Sequence, residues 1–438
     1  MSTESAPPAV PGSASPRWAL RADRLATNAT IALAFALPVS TALANACLAA
    51  LLAGWLVSGR WRPALAQVVA TAPAALAALL LGWLLLTAAW SAASWSEAMA
   101  MARKYSDLVL IGLFAWLLRE PAARARAIDA FCAAMLLTLA LSCAAAAGLS
   151  LPSGLVKAIP GNAVVFKMHI THGLLMSLAA LIFAHRGLRS EGTRARVFWW
   201  CACALASANV LFMIDGRTGY VVLAAFALLA ARLRAGWPGV AAALLAVVAS
   251  AVTAYHGADG LRSRIDLAVS EAREWRADRP VQANDSIGSR LEFWSNSATL
   301  VREHPLAGHG LGAFPASYAA LTAGSGRQVP HHPHNEFLLL AVQAGLPAAA
   351  LFAWLLVRLY GAGSASPSGR SSTRALPVEA LLATAIALWM ALGCAFNSLL
   401  IDHTESLLFA LVVGLVCAWL HGQSAPAAPE HVSPEVRP

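Results

Sequence analysis

Between Ser286 and Glu336 the chain reads SIGSRLEFWSNSATLVREHPLAGHGLGAFPASYAALTAGSGRQVPHHPHNE, its longest polar interval. This stretch holds Arg290, three close histidines (His331, His332, His334) and Glu336. Three imidazoles followed by a carboxylate could partly enclose zinc, but there is no H-E-x-x-H spacing and no second ligand cluster. They could also be polar loop residues with no role. A third reading is acid–base chemistry. Pro333 delivers His334 to the start of an apolar helix, where the partial positive charge of the helix N-terminus disfavours imidazolium, and a neutral imidazole is what a general base requires. Arg290 reads either as one half of an ion pair with Asp285 or Glu292, or as a donor to an anion.

Arg217, in DGRTGY, lies between two apolar blocks, followed by Tyr220. It could be a snorkelling side chain. Its guanidinium fork also suits phosphate oxygens, and Gly216 and Gly219 let backbone approach a ligand. Arg103 and Lys104 in MARKY, and His403 in IDHTES, fall near the same expected surface, as headgroup anchors or as holders of an anionic lipid. Gly308, Gly310 and Gly312 in GHGLGAF are a weak phosphate-loop signal, because no strand precedes them; they predict a tight turn after Pro305.

The elements that must position these residues are membrane helices. With 59% hydrophobic and 12% charged residues, the composition falls in the polytopic membrane class. The apolar blocks are long enough to cross about 30 Å of hydrocarbon as helices, which satisfy their own backbone hydrogen bonds in lipid. About twelve spans are expected. Residues 1–27 read as a disordered cytoplasmic tail, 28–255 as nine spans with a hairpin broken near Pro38, 256–334 as a periplasmic loop carrying the chemistry, 335–421 as three further spans, and 422–438 as a second tail.

More than half of the 31 Lys and Arg fall on one side of this alternation, which by the positive-inside rule puts both termini inside and the long loop outside. The net charge of +9 is therefore a topology signal and not a nucleic-acid footprint. All seven cysteines fall in expected helices, which argues against disulfides and thiolate metal sites. GAGSASPSGRSS, from Gly361 to Ser372, reads as a flexible inside loop. From Arg290 onward, Leu291, Trp294, Ala298 and Val301 recur at helical spacing, which predicts an amphipathic helix lying on the bundle. A transporter should show internal repeats and charged residues at mid-membrane, and neither is evident.

In this order, GRTGY at a helix start, R-x-x-x-W, HPLAGHGLGAF and PHNEFL resemble the O-antigen ligases, within the superfamily they share with O-antigen polymerases and protein O-oligosaccharyltransferases. The resemblance covers most of the chain. It implies an all-α polytopic glycosyltransferase of the multi-spanning, lipid-linked-donor kind. Such an enzyme transfers a glycan from undecaprenyl diphosphate to lipid A core at the periplasmic face of the inner membrane, without metal or other cofactor and with inversion. Position by position, it implies Arg217 and Arg290 as the diphosphate-binding arginines and His334 as the base, with Leu338 completing the H-N-x-x-L pattern. Asn335, Glu336, His332, Tyr220, Arg103 and Lys104 are the expected substrate-binding residues. Gly216 stands where many relatives have serine. Polymerase and protein O-oligosaccharyltransferase remain alternatives with the same donor.

Overall fold

The computed structural model describes residues 16–152, 162–257, 259–276, 286–364 and 376–424. Lys157, Asp278, Asp285, most of the Gly361–Ser372 loop and most of the two tails lie outside them.

The described chain is all-α: α1 (Arg17–Val39), α2 (Thr41–Ser58), α3 (Trp61–Ala70), α4 (Ala72–Leu86), α5 (Trp95–Tyr105), α6 (Leu110–Leu117), α7 (Pro121–Ala146), α8 (His169–Arg189), α9 (Thr193–Ala208), α10 (Arg217–Gly257), α11 (Asp259–Glu274), α12 (Ser286–Glu303), α13 (Phe314–Leu321), α14 (Glu336–Ser364), α15 (Val378–Phe396) and α16 (His403–Ser424). Among the described residues eight helices are long and apolar enough to cross a membrane, which makes this a polytopic membrane protein. One of them, α10, is interrupted at Gly236 (φ 63°), so it accounts for two of the nine spans expected over 28–255. The other expected spans beyond the eight fall on α1, α6 and α8. α1 begins inside the expected tail, at Arg17.

From Thr404 to Trp419 every residue of α16 is buried, so this helix is the axis of the bundle. α6, α15, α1 and α4 pack around it, while α2, α9 and α10 lie outside. At one end, the arginines read as a topology signal also clamp the helices together. Asp23 of α1 accepts from Arg119 at 2.6 Å and from Trp116 at 3.3 Å, with Arg60 at 3.5 Å. Arg124 pairs with Glu379 at 3.1 Å, and Arg186 with Asp129.

The opposite end is organised by a break in α14. Pro347 has no N–H for the carbonyl four residues back, and Gly345 leaves helical geometry (φ 76°, ψ 173°). In a hydrocarbon setting the stranded carbonyls each cost several kcal/mol unless re-paired. The GHGLG segment re-pairs them. His309 N–H donates to the Val342 carbonyl at 2.8 Å, Gly310 N–H to the Gln343 carbonyl at 2.8 Å and Gly312 N–H to Gln343 Oε1 at 2.6 Å, while Leu346 N–H donates to the Pro305 carbonyl at 2.7 Å. These amides are therefore occupied, and the segment is a helix-break clamp instead of a phosphate cradle. It is also tightly fitted: a Cβ on Gly310 (φ 98°) would lie 2.1 Å from Ser91 Cα. Gly310→Ala should lower the thermal midpoint in detergent far more than Gly326→Ala, a residue with φ 70° but open space around it. The control carries only the left-handed penalty of about 1–2 kcal/mol; Gly310→Ala adds an overpacking penalty of about 1–3 kcal/mol or more.

Candidate active site

Four elements meet at this end. α5 is started by a capping box: Ser94 Oγ accepts from Glu97 N–H at 3.3 Å, and Ser94 N–H donates to Glu97 Oε2 at 2.9 Å. Its last turn presents Lys104. α10 starts at Arg217, just after an extended stretch to which Tyr220 is tied, its hydroxyl donating to the Ile214 carbonyl at 3.0 Å. α12 lies across α14 and carries Arg290. The His331–Asn335 turn enters α14.

α12 is the helix predicted from the loop, but its most buried stripe is Phe293, Ser297 and Leu300. The expected Leu291, Trp294, Ala298 and Val301 are half-buried at its margin. The reason is lateral: neighbouring α13 covers a second side of the helix. There Tyr318 packs edge-on against Phe293, and Arg327 lies 3.8 Å from the buried Glu292 carboxylate. Glu292 is therefore turned to Arg327 and Tyr318, not to Arg290.

Asn335 caps α14, its Oδ1 accepting from Leu338 N–H at 3.0 Å, and its Nδ2 donates to the Ala395 carbonyl at 3.1 Å at the end of α15. His334 thus lies one residue before the cap, not inside the helix. Its backbone is left-handed (φ 53°), one of two such non-glycine residues among those described. This costs about 1 kcal/mol or more and persists only where surroundings fix it. The surroundings are specific. Phe293 lies nearly parallel to the imidazole (19°, centroids 6.3 Å apart), the His332 ring is 4.4 Å away, His332 Nδ1 accepts from His334 N–H at 3.3 Å, and Trp294 Nε1–H donates to the Pro333 carbonyl at 3.0 Å.

The electrostatics run in one line. Half-buried Arg290 is close enough to exposed Arg217 for their charges to repel, and its own charge acts on His334. Neither arginine has an ion-pair partner among the described residues. Burial first, then the Arg290 charge, lowers the His334 pKa below the ordinary imidazole range. Burial, then His334, Lys104 and His331, drive His332 down to about 4. Both rings are neutral at neutral pH, held so by desolvation and by charged neighbours, while His334 itself lies one residue outside the helix.

Lys104 is exposed and within electrostatic reach of His332, Glu336 and Asp402. Arg103 is exposed one residue earlier, with no ion pair or side-chain hydrogen bond to the cluster among the described residues. Glu336 is fully buried, accepting from Tyr105 O–H at 2.8 Å and from Leu400 N–H at 3.3 Å. It is turned away from the histidines, which removes the fourth donor of the zinc reading. No group of three or more His, Cys, Asp or Glu suited to a metal is found among the described residues. His403 starts α16, with Nε2 buried and without a hydrogen-bond partner among the described residues.

Sequence reasoning passed over Phe293, Tyr105 and Asp402. Asp402 stands beside the flagged His403. The other two look like ordinary aromatic residues until the tertiary structure gives them partners.

The fold and this end of the bundle define a class: a multi-pass all-α membrane protein with two arginines and a neutral histidine pair at one end. Residues 202–353 match the family model Wzy_C, O-antigen ligase, so this segment is similar to the domain of that family, a glycosyltransferase-like ligase and polymerase group. The matched segment contains Arg217, Arg290, the GHGLG clamp, His334 and the break in α14; Lys104 and Asp402 lie outside it. No curated protein matches the chain.

Proposed function

We propose that this protein is an O-antigen ligase, transferring a glycan from undecaprenyl diphosphate to lipid A core at the periplasmic face of the inner membrane. The observation that carries the reading is the pair Arg217 and Arg290, uncompensated by carboxylates among the described residues and adjacent to neutral His334. Two clustered guanidinium groups raise each other's free energy, and a dianionic diphosphate relieves that repulsion.

In the reaction the acceptor hydroxyl attacks the anomeric carbon from the face opposite the diphosphate. The new C–O bond forms as the bond to the diphosphate breaks, giving inversion. His334 takes the acceptor's proton, and undecaprenyl diphosphate leaves with the bonding pair. Arg217 and Arg290 stabilise the charge that develops on the leaving oxygen, which requires no divalent ion. Lys104 and His332, the latter with its ring 4.4 Å from that of His334, flank the acceptor. Asn335 and Glu336 act by fixing the start of α14, which carries the histidine turn. The loop 256–334 faces the periplasm and both termini the cytoplasm.

Purified protein in detergent, given undecaprenyl-diphosphate-linked glycan with lipid A core and free donor glycan as competing acceptors and a chelator present, should place glycan on the core. Elongated donor glycan instead would make it a polymerase. Transfer to neither, with donor still bound, would sink the ligase reading and favour a protein acceptor.

A further inference from the structure

We infer that Trp294 and Phe293 are positioning residues for His334, so that α12 carries the means of aligning the histidine as well as Arg290. The inference rests on the reading of His334 as the base. Its ground is geometric. A histidine with left-handed backbone needs neighbours that determine its position from more than one side. The side chains supplying two of those sides belong to consecutive residues of one helix. The Trp294 indole donates to the carbonyl of Pro333, the residue immediately before His334, at 3.0 Å. The Phe293 ring lies nearly parallel to the imidazole, at an angle of 19° with centroids 6.3 Å apart.

These two aromatic residues are themselves anchored on different partners. Phe293 is packed edge-on by Tyr318 of α13, with centroids 6.0 Å apart, and Tyr318 accepts a hydrogen bond from Asn296 at 2.8 Å. Trp294 packs against Phe396 at the end of α15, 6.4 Å away, beside the Ala395 carbonyl that holds Asn335. The turn 333–335 is therefore gripped from α12 on one side and α15 on the other. Arg290 is one turn of α12 earlier than Trp294. A displacement of α12 moves the arginine, the ring beside the imidazole and the donor to Pro333 together, so the base is aligned only when Arg290 is also in place. Neither aromatic residue is required to touch substrate.

The test compares Trp294→Phe, which keeps an aromatic ring but loses the N–H, with Phe293→Leu, which keeps apolar bulk but removes the ring beside the imidazole. Donor binding, thermal midpoint and the pH dependence of kcat are measured on each, beside wild type and His334→Ala. For Trp294→Phe we expect kcat to fall roughly tenfold at unchanged donor KM, as expected when alignment and not binding is lost. For Phe293→Leu the acid limb of the kcat profile should move up by roughly half a pH unit or more, because an imidazole returned to water regains its charged form more readily. A purely structural role would lower the thermal midpoint of both variants, leaving kcat and the acid limb as in wild type at temperatures where they stay folded; that result overturns the inference. If His334→Ala itself transfers at the wild-type rate, the reading of the base has failed. If it is inactive while both aromatic variants behave as wild type, only the positioning role has failed.

Discussion

Replacing His334 by alanine should reduce glycan transfer by about a hundredfold to ten-thousandfold, the range a positioned general base supplies, while leaving donor binding intact. The protein should remain folded, because the side chain is half-buried and the α14 cap belongs to Asn335. Direction with pH follows from the lowered pKa. A base acts when neutral, and burial with the Arg290 charge keeps His334 neutral further into acid than a free imidazole. Wild-type kcat should therefore stay level down to neutral pH and fall only as pH passes below the ordinary value of about 6.5. Arg290→Gln removes the second of the two causes, so in that variant the acid limb should shift upward. A His334→Ala enzyme retaining wild-type kcat, or an acid limb centred above 7 in wild type, would show that another group takes the proton.

Arg290→Ala should cost roughly a hundredfold or more in kcat, in line with the removal of one preorganised donor from a developing oxyanion. Lysine should restore only part of it, because a point charge does not reproduce a planar two-pronged donor. Arg217→Ala should fall in the same range. The double variant should lose less than the product of the two single losses, since both groups address one diphosphate and repel each other without it. Inorganic pyrophosphate should inhibit wild type in competition with donor, and inhibit the double variant much more weakly. Undiminished transfer by Arg290→Ala, with pyrophosphate inhibition unchanged, would remove the arginines from the mechanism.

The membrane class, the helical nature of the loop carrying Arg290 and the three principal site candidates were all legible in the amino-acid sequence. Composition decides the first, because lipid leaves an uncovered backbone few options but helix. Arg217, Arg290 and His334 are visible because polar residues are rare in such a chain and their motifs are ordered. What each polar residue does was less legible. Glu292 and Glu336 look equally available beside Arg290 and His334, yet one is held by Arg327 and the other by Tyr105. GHGLG looks like a phosphate loop until the carbonyls left open by the break in α14 take up the amides of His309 and Gly310, and the Gln343 side chain that of Gly312.

The depth of each helix in the bundle belonged to the tertiary structure alone. α2, α10 and α16 have nearly the same mean hydropathy over their best windows (1.7, 1.8 and 1.7), yet the buried shares of those windows are 22%, 0% and 83%. In water, hydrophobicity would sort them. In a membrane, lipid and protein interiors are similarly apolar, so burial follows from close packing and hydrogen-bond pairing among helices distant in sequence. The same holds for the site: residue type and order named the two arginines and the histidine, and only the packing of α12 between α13 and the end of α15 brought their charges together.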